Sequence, residues 1–143
     1  MKIGELAKVA RCSTETIRFY EKEGLLPAPG RSQGNYRQYQ GEHAERLRFI
    51  RNCRLLDMTH DEIRTLLAFV DRRQGDCAPV NTLLDEHIVH VNVRLAELER
   101  LREQLEDLRK QCTRAQAIED CGIIHGLAAM PSQEKQTPET HLG

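Results

Sequence analysis

Between Pro79 and Gly122 the chain carries neither proline nor glycine, the longest such interval in its 143 residues. A stretch without a breaker over that length predicts one long helix, opened by Pro79, whose fixed φ suits a first helical position. Along it Leu84, Ile88, Val91, Leu95 and Leu98 are spaced four, three, four and three, and after a slip in phase Leu101, Leu105 and Leu108 continue the stripe. From Pro79 to Lys110 such a helix is ~48 Å long. Its own chain cannot cover that apolar seam from end to end, so the pattern predicts a homodimer joined by an antiparallel coiled coil.

The residues before this helix read as several short elements. Ile3, Leu6, Ala7 and Ala10 fall at helical spacing, Arg11-Cys12 makes a tight connection, and Ser13 is placed to cap a second helix ended by Gly24. Two short helices joined this tightly form a helix-turn-helix. Pro27, Pro29 and Gly30 break the helix, and Gly34-Asn35 with the following Tyr36 to Tyr39 predicts a small β-hairpin, or wing. Ala44, Leu47, Ile50, Cys53 and Leu56 stripe a third helix. Thr59 and Glu62 form a capping box at the start of a fourth, which ends near Val70.

The fold class is therefore mainly α: a winged helix-turn-helix head, a long antiparallel coiled-coil dimerisation helix and a short C-terminal loop. Aromatic residues at 4% and charged residues at 30% agree with helices rather than a sheet sandwich. The boundaries expected are 1–75 for the DNA-binding head, 76–111 for the dimerisation helix and 112–130 for a metal-binding loop and short helix. A disordered tail is expected over 131–143.

Charge is divided unevenly. Residues 1–58 carry a net +4 and the remainder a net −5, the pattern of a nucleic-acid-binding head on a non-binding body. No run is long and apolar enough for a membrane span, so a cytoplasmic protein is expected, without a membrane partner. In that compartment an odd count of five cysteines argues against a disulfide framework and for metal or redox chemistry.

Cys77 precedes the long helix, Cys112 follows it, and Cys121 lies nine residues further on. A continuous helix keeps Cys77 and Cys112 of one chain apart. An antiparallel dimer would bring Cys77 of one subunit to Cys112 and Cys121 of the other, giving three thiolates that suit Pb²⁺, Cd²⁺ or Hg²⁺; Zn²⁺ would need a fourth ligand. His87 and His90, three residues apart on one helix face, offer a candidate second metal site with Glu62 or His60, the alternative being a solvated or seam-lining pair. Cys12 and Cys53 read as packing residues, as does Phe19.

Ile3 to Ala7, Glu15-Thr16-Ile17-Arg18-Phe19-Tyr20-Glu21, Gly24 to Pro27 and Asn35 to Tyr39 together closely resemble the MerR family of transcription regulators. Asp57-Met58-Thr59 and the run from Cys77 to Val91 resemble its lead- and cadmium-responsive branch, and the spacing of the three cysteines is similar in the mercury-responsive branch. The resemblance implies a homodimer on double-stranded promoter DNA that realigns the promoter for RNA polymerase by distorting the DNA when metal binds. It also implies DNA contacts from Thr14, Thr16, Arg18 and Tyr20 of the second helix and from Tyr36, Arg37 and Tyr39 of the wing, with packing in the head the alternative for each tyrosine.

The expected function is thus activation of heavy-metal resistance genes when Pb²⁺ or Cd²⁺ binds the three cysteine thiolates. A regulator answering to Hg²⁺ or Zn²⁺, a Cys112–Cys121 redox switch and a metal-buffering protein are the alternatives. No nucleophile, base and orienting group fall into a catalytic arrangement, so no enzyme is expected.

Overall fold

The structure, a computed structural model, describes residues 1–131; the tail expected from residue 131 lies, from 132 onward, outside the described residues. Helix α1 (Ile3–Ala10) ends on Arg11, whose left-handed backbone (φ 54°) turns the chain at once into α2 (Thr14–Lys22). The Ser13 hydroxyl accepts the Thr16 N–H at 3.1 Å, which satisfies a donor that the first turn of a helix otherwise leaves open. After Gly24 (φ 75°), strand β1 (Gly30–Arg31) pairs antiparallel with β2 (Arg37–Gln38), Gly30 opposite Gln38. This is the wing. Asn35, with a left-handed φ of 62°, makes its turn.

Helix α3 (Gly41–Leu55) follows, then α4 (His60–Arg72), two residues longer than its sequence pattern suggests. The capping box is formed. The Thr59 Oγ1 accepts from the Glu62 N–H at 3.1 Å, and the Glu62 carboxylate accepts from the Thr59 N–H at 3.0 Å.

The chain divides into two compact units, Met1–Leu83 and the part from Leu84 onward. In the first, two apolar clusters share the interior. Leu6, Ile17, Leu26, Tyr39, Ala44 and Leu47 make one; Leu25, Ile50, Met58, Ile63 and Leu67 are central to the other. The adjacent Leu25 and Leu26 go one to each cluster, so the segment after Gly24 stitches them together. Each such leucine, fully buried, contributes roughly 1.5–3 kcal/mol.

Two arginines clamp the helices of this unit. Arg46 donates from Nε to the Leu25 carbonyl at 2.8 Å and grips Asp71 through both terminal nitrogens at 2.7 and 3.0 Å. Arg64 reaches the Glu23 carbonyl at the end of α2 at 2.9 Å and the Asp61 carboxylate at 2.6 Å.

Helix α5 (Ala78–Arg109) runs unbroken for 32 residues. Its first turns belong to the head, where Val80 and Leu83 join the second cluster. From Leu84 on, the seam predicted by the sequence is bare: Leu95 is 51% exposed and Leu105 58%. A 3₁₀ turn (Ile118–Asp120) and α6 (Gly122–Ala129) complete the second unit. The chain as a whole is a mainly helical, winged helix-turn-helix dimerisation fold with a long C-terminal helix.

Candidate functional site

The face expected to meet nucleic acid is built on α2 and the wing. Thr14 and Thr16 lie half-buried in the first turn of α2, and Arg18 is exposed on it. Tyr20 is half-buried against both core clusters, and burial pushes its phenol pKa up. On the wing Tyr36 is exposed, with the Lys2 ammonium 5.6 Å from its ring centre. Arg37 is exposed and ion-paired to Glu21 at 3.0 Å.

Tyr39 takes the packing alternative, and Phe19 departs from the sequence reading. Tyr39 is only 1% exposed, and its hydroxyl donates to the Glu21 carboxylate, so its ring packs in the head; burial, reinforced by that bond, raises its pKa. Glu21 thus receives both Arg37 and Tyr39 and ties the wing to α2. Phe19, expected to pack, is 43% exposed; its ring meets His60 at 5.3 Å and Tyr20 at 5.7 Å between centroids. Helical phase explains the exchange. Ile17 takes the inward position of α2, and Phe19, two residues on, faces away from it.

Of the cysteines, Cys53 is buried in the second cluster and Cys12 packs at the edge of the first; burial raises both thiol pKa values, as packing roles require. Cys77 is exposed just ahead of α5. Cys112 lies in the loop after it and Cys121 at the start of α6, both half-exposed. The Cys112 thiol donates to the Arg114 carbonyl at 3.3 Å, and the Gln116 amide approaches its sulfur at 4.0 Å. The Cys121 thiol is held below its ordinary pKa by the backbone N–H groups of Ile124 and Ile123, with a further contribution from a hydrogen bond to Cys112.

The expected trio of thiolates is not what the structure assembles. Among the described residues, the side chains grouped as potential metal ligands are imidazoles and a carboxylate, with no thiolate among them. The expectation of Pb²⁺ or Cd²⁺ held by Cys77, Cys112 and Cys121 is corrected accordingly. Within a chain, 32 residues of unbroken helix stand between Cys77 and Cys112. The reading of the histidine pair as solvated also fails for His87, which is 6% exposed and whose ring lies 6.5 Å from that of His90.

Comparison with known proteins decides the family. Residues 1–69 match the model of the MerR HTH family regulatory proteins, and residues 44–108 match that of the MerR DNA-binding region. The chain is 48% identical to the HTH-type transcriptional regulator ZntR homolog of Haemophilus influenzae, over 78% of this chain and 82% of that one. The chain belongs to the MerR family. It is also 36% identical to the mercuric resistance operon regulatory protein of Bacillus cereus, covering 88% of this chain and 96% of the relative. Its fold matches the crystal structure of the transcription regulator PbrR691 from Ralstonia metallidurans CH34 in complex with lead(II), with 51% identity and a TM-score of 0.81 over 89% and 98% of the two chains.

As a MerR regulator the protein is a homodimeric, DNA-binding transcription factor associated with heavy metals, and its role is binding, not catalysis. No helix among the described residues is long and apolar enough to cross a membrane.

Sequence reasoning passed over two features of the site region. His43 accepts the Gln40 N–H at 2.9 Å through Nδ1 and so caps α3; its spacing of three from Gln40 is the signal that pointed there. Gly122 and Gly126 lie where a Cβ would meet Gln111, and their spacing of four on α6 marks that close face.

Proposed function

We propose that this MerR-family protein is a metal-responsive regulator that works in the cytoplasm, holds promoter DNA as a homodimer and passes a metal signal to RNA polymerase by distorting that DNA. Thr14, Thr16 and Arg18 on α2, with Tyr36 on the wing, are the residues proposed to touch DNA; Tyr20 and Arg37 hold the phosphate-facing edge in register. Arg18 is the one suited to a bidentate guanine or phosphate contact.

The observation that carries the metal reading is the pair of imidazoles His87 and His90, one turn apart on α5 with ring centres 6.5 Å apart. Imidazole donors suit a borderline divalent ion of the zinc class. The family setting agrees, since one relative is a mercuric resistance regulator and one solved structure of the family is a lead(II) complex.

The test is a titration of the purified full chain with Zn²⁺, Cd²⁺, Pb²⁺ and Hg²⁺, alongside reporter induction from its operator. The His87→Ala/His90→Ala pair is expected to weaken zinc-class binding at least about tenfold and to abolish induction. Metal-free operator affinity should be retained. Full induction in this variant would overturn the assignment.

A further inference from the structure

The face of α3 turned away from the head's core carries exposed arginines whose side chains bind nothing among the described residues. We infer that the cleft between this face and the end of α1 binds phosphate oxygens of the DNA backbone, as a second contact track beside the start of α2. The inference rests on the reading of α2 as the DNA-facing helix.

Helical phase builds one wall of the cleft. Leu47, Ile50 and Cys53 are buried, while Arg48, Arg51, Asn52 and Leu55 share the exposed face at steps of three, one and three. Arg48 and Arg51 are ~4.5 Å apart along the helix axis. Val9 and Arg11, at the end of α1, make the facing wall; the cleft holds about 470 Å³, and no carboxylate lines it. Arg11 has a left-handed backbone (φ 54°), which glycine adopts at lower cost, so arginine is a costly choice at this turn unless its side chain is used.

Other arginines of the head are engaged. Arg37 pairs with Glu21, Arg46 with Asp71 and Arg64 with Asp61, and Arg54 donates to the Met58 carbonyl. The Arg11, Arg48 and Arg51 side chains have no hydrogen bond or ion pair among the described residues. Three guanidiniums facing one cleft repel one another, and an anion between them reverses that balance. Val9 and Leu55 give the cleft apolar edges, and low-dielectric walls concentrate the field of like charges at its mouth.

Position selects DNA among anions. Arg11 lies in the connection from α1 to α2, three residues before Thr14. Burial raises the Cys12 thiol pKa and the Arg51 charge opposes it, which agrees with Arg51 lining the same cleft as Arg11. The duplex that α2 meets passes beside the cleft and offers a charge every ~3.4 Å along each strand. A guanidinium fork takes two oxygens of one phosphate. Such contacts add affinity without reading sequence.

The experiment measures binding of the full-length homodimer to a duplex carrying its operator and to a shuffled duplex, from about 50 to 200 mM salt. Arg48→Gln/Arg51→Gln is expected to weaken both duplexes at least about tenfold and by the same factor, and to lower the slope of log K against log salt by about three to four. Arg48→Lys/Arg51→Lys, which keeps both charges, should recover most of the slope. The thermal midpoint of the glutamine form should not fall, because the substitution relieves repulsion. A parent that binds neither duplex would remove the regulator reading itself. A parent that binds, with a glutamine form of unchanged affinity and slope, would overturn this inference alone; if that form also fails to activate transcription, the cleft serves an acidic protein surface instead. A loss confined to the operator would make these arginines base readers and equally overturn the phosphate track.

Discussion

The head and the part of α5 beyond Leu83 use the same kinds of residue to opposite effect. In the head Leu6, Ile17, Leu25, Ile50 and Ile63 are completely buried, each from a different element or turn. Beyond Leu83, Leu84, Ile88, Leu95, Leu98, Leu101 and Leu105 sit at equally regular spacing and remain exposed within one chain. Regular apolar spacing therefore says that a face will be covered; the number of elements nearby says whether the same chain can cover it. Four helices and a hairpin close on themselves, whereas a single 32-residue helix needs a second copy.

The comparison breaks first at the head's centre. Ile50→Ala is expected to cost the head about 3 kcal/mol through lost burial and a residual cavity, read as a drop in the urea midpoint at constant protein concentration. A midpoint within error of the parent would mean that Ile50 is not central to the second cluster. Next in size is Leu95→Ala, expected to weaken the dimer by about 2 kcal/mol with little change in the folding of the head. Sedimentation equilibrium checks this, and a dimer constant unmoved by the change would place the interface elsewhere. Thr59→Ala should remove about 1 kcal/mol by opening the first turn of α4, seen in thermal melts.

The smallest effect concerns acid. The hydrogen bond from Arg46 lowers the Asp71 pKa below its unfolded value, so its contribution is present above the unfolded pKa and fades as pH falls through the folded one. Because Asp71 is more than half exposed, screening limits this to a few tenths of a kcal/mol. Asp71→Asn should flatten the stability curve slightly below about pH 4; a variant as acid-sensitive as the parent would rule the pair out as a contributor.

Much of the head was legible because its signals are local. Ser13 before a helix and Thr59 three residues ahead of Glu62 satisfy backbone donors within a single turn, and the structure has both bonds. The wing's Gly34-Asn35 turn is equally short-range. Tyr39 was left open and Phe19 misjudged because an aromatic ring is driven inward or left outside by the fold around it, and both sides of that choice look alike in sequence. The metal ligands were harder still. His87 and His90 share a helix face by spacing, but nothing local ranked them above the three cysteines. Soft sulfur at tidy intervals is the louder signal in a string of letters.

The two arginine clamps described in the head have a mechanical consequence. Arg64 fastens α4 to the Glu23 carbonyl at the end of α2, and Arg46 fastens α3 to the segment that follows α2 and to the far end of α4. The helix expected to read DNA is therefore tied through charged side chains to the two helices, α3 and α4, behind it. A push on either of these reaches α2 through bonds as well as through packing.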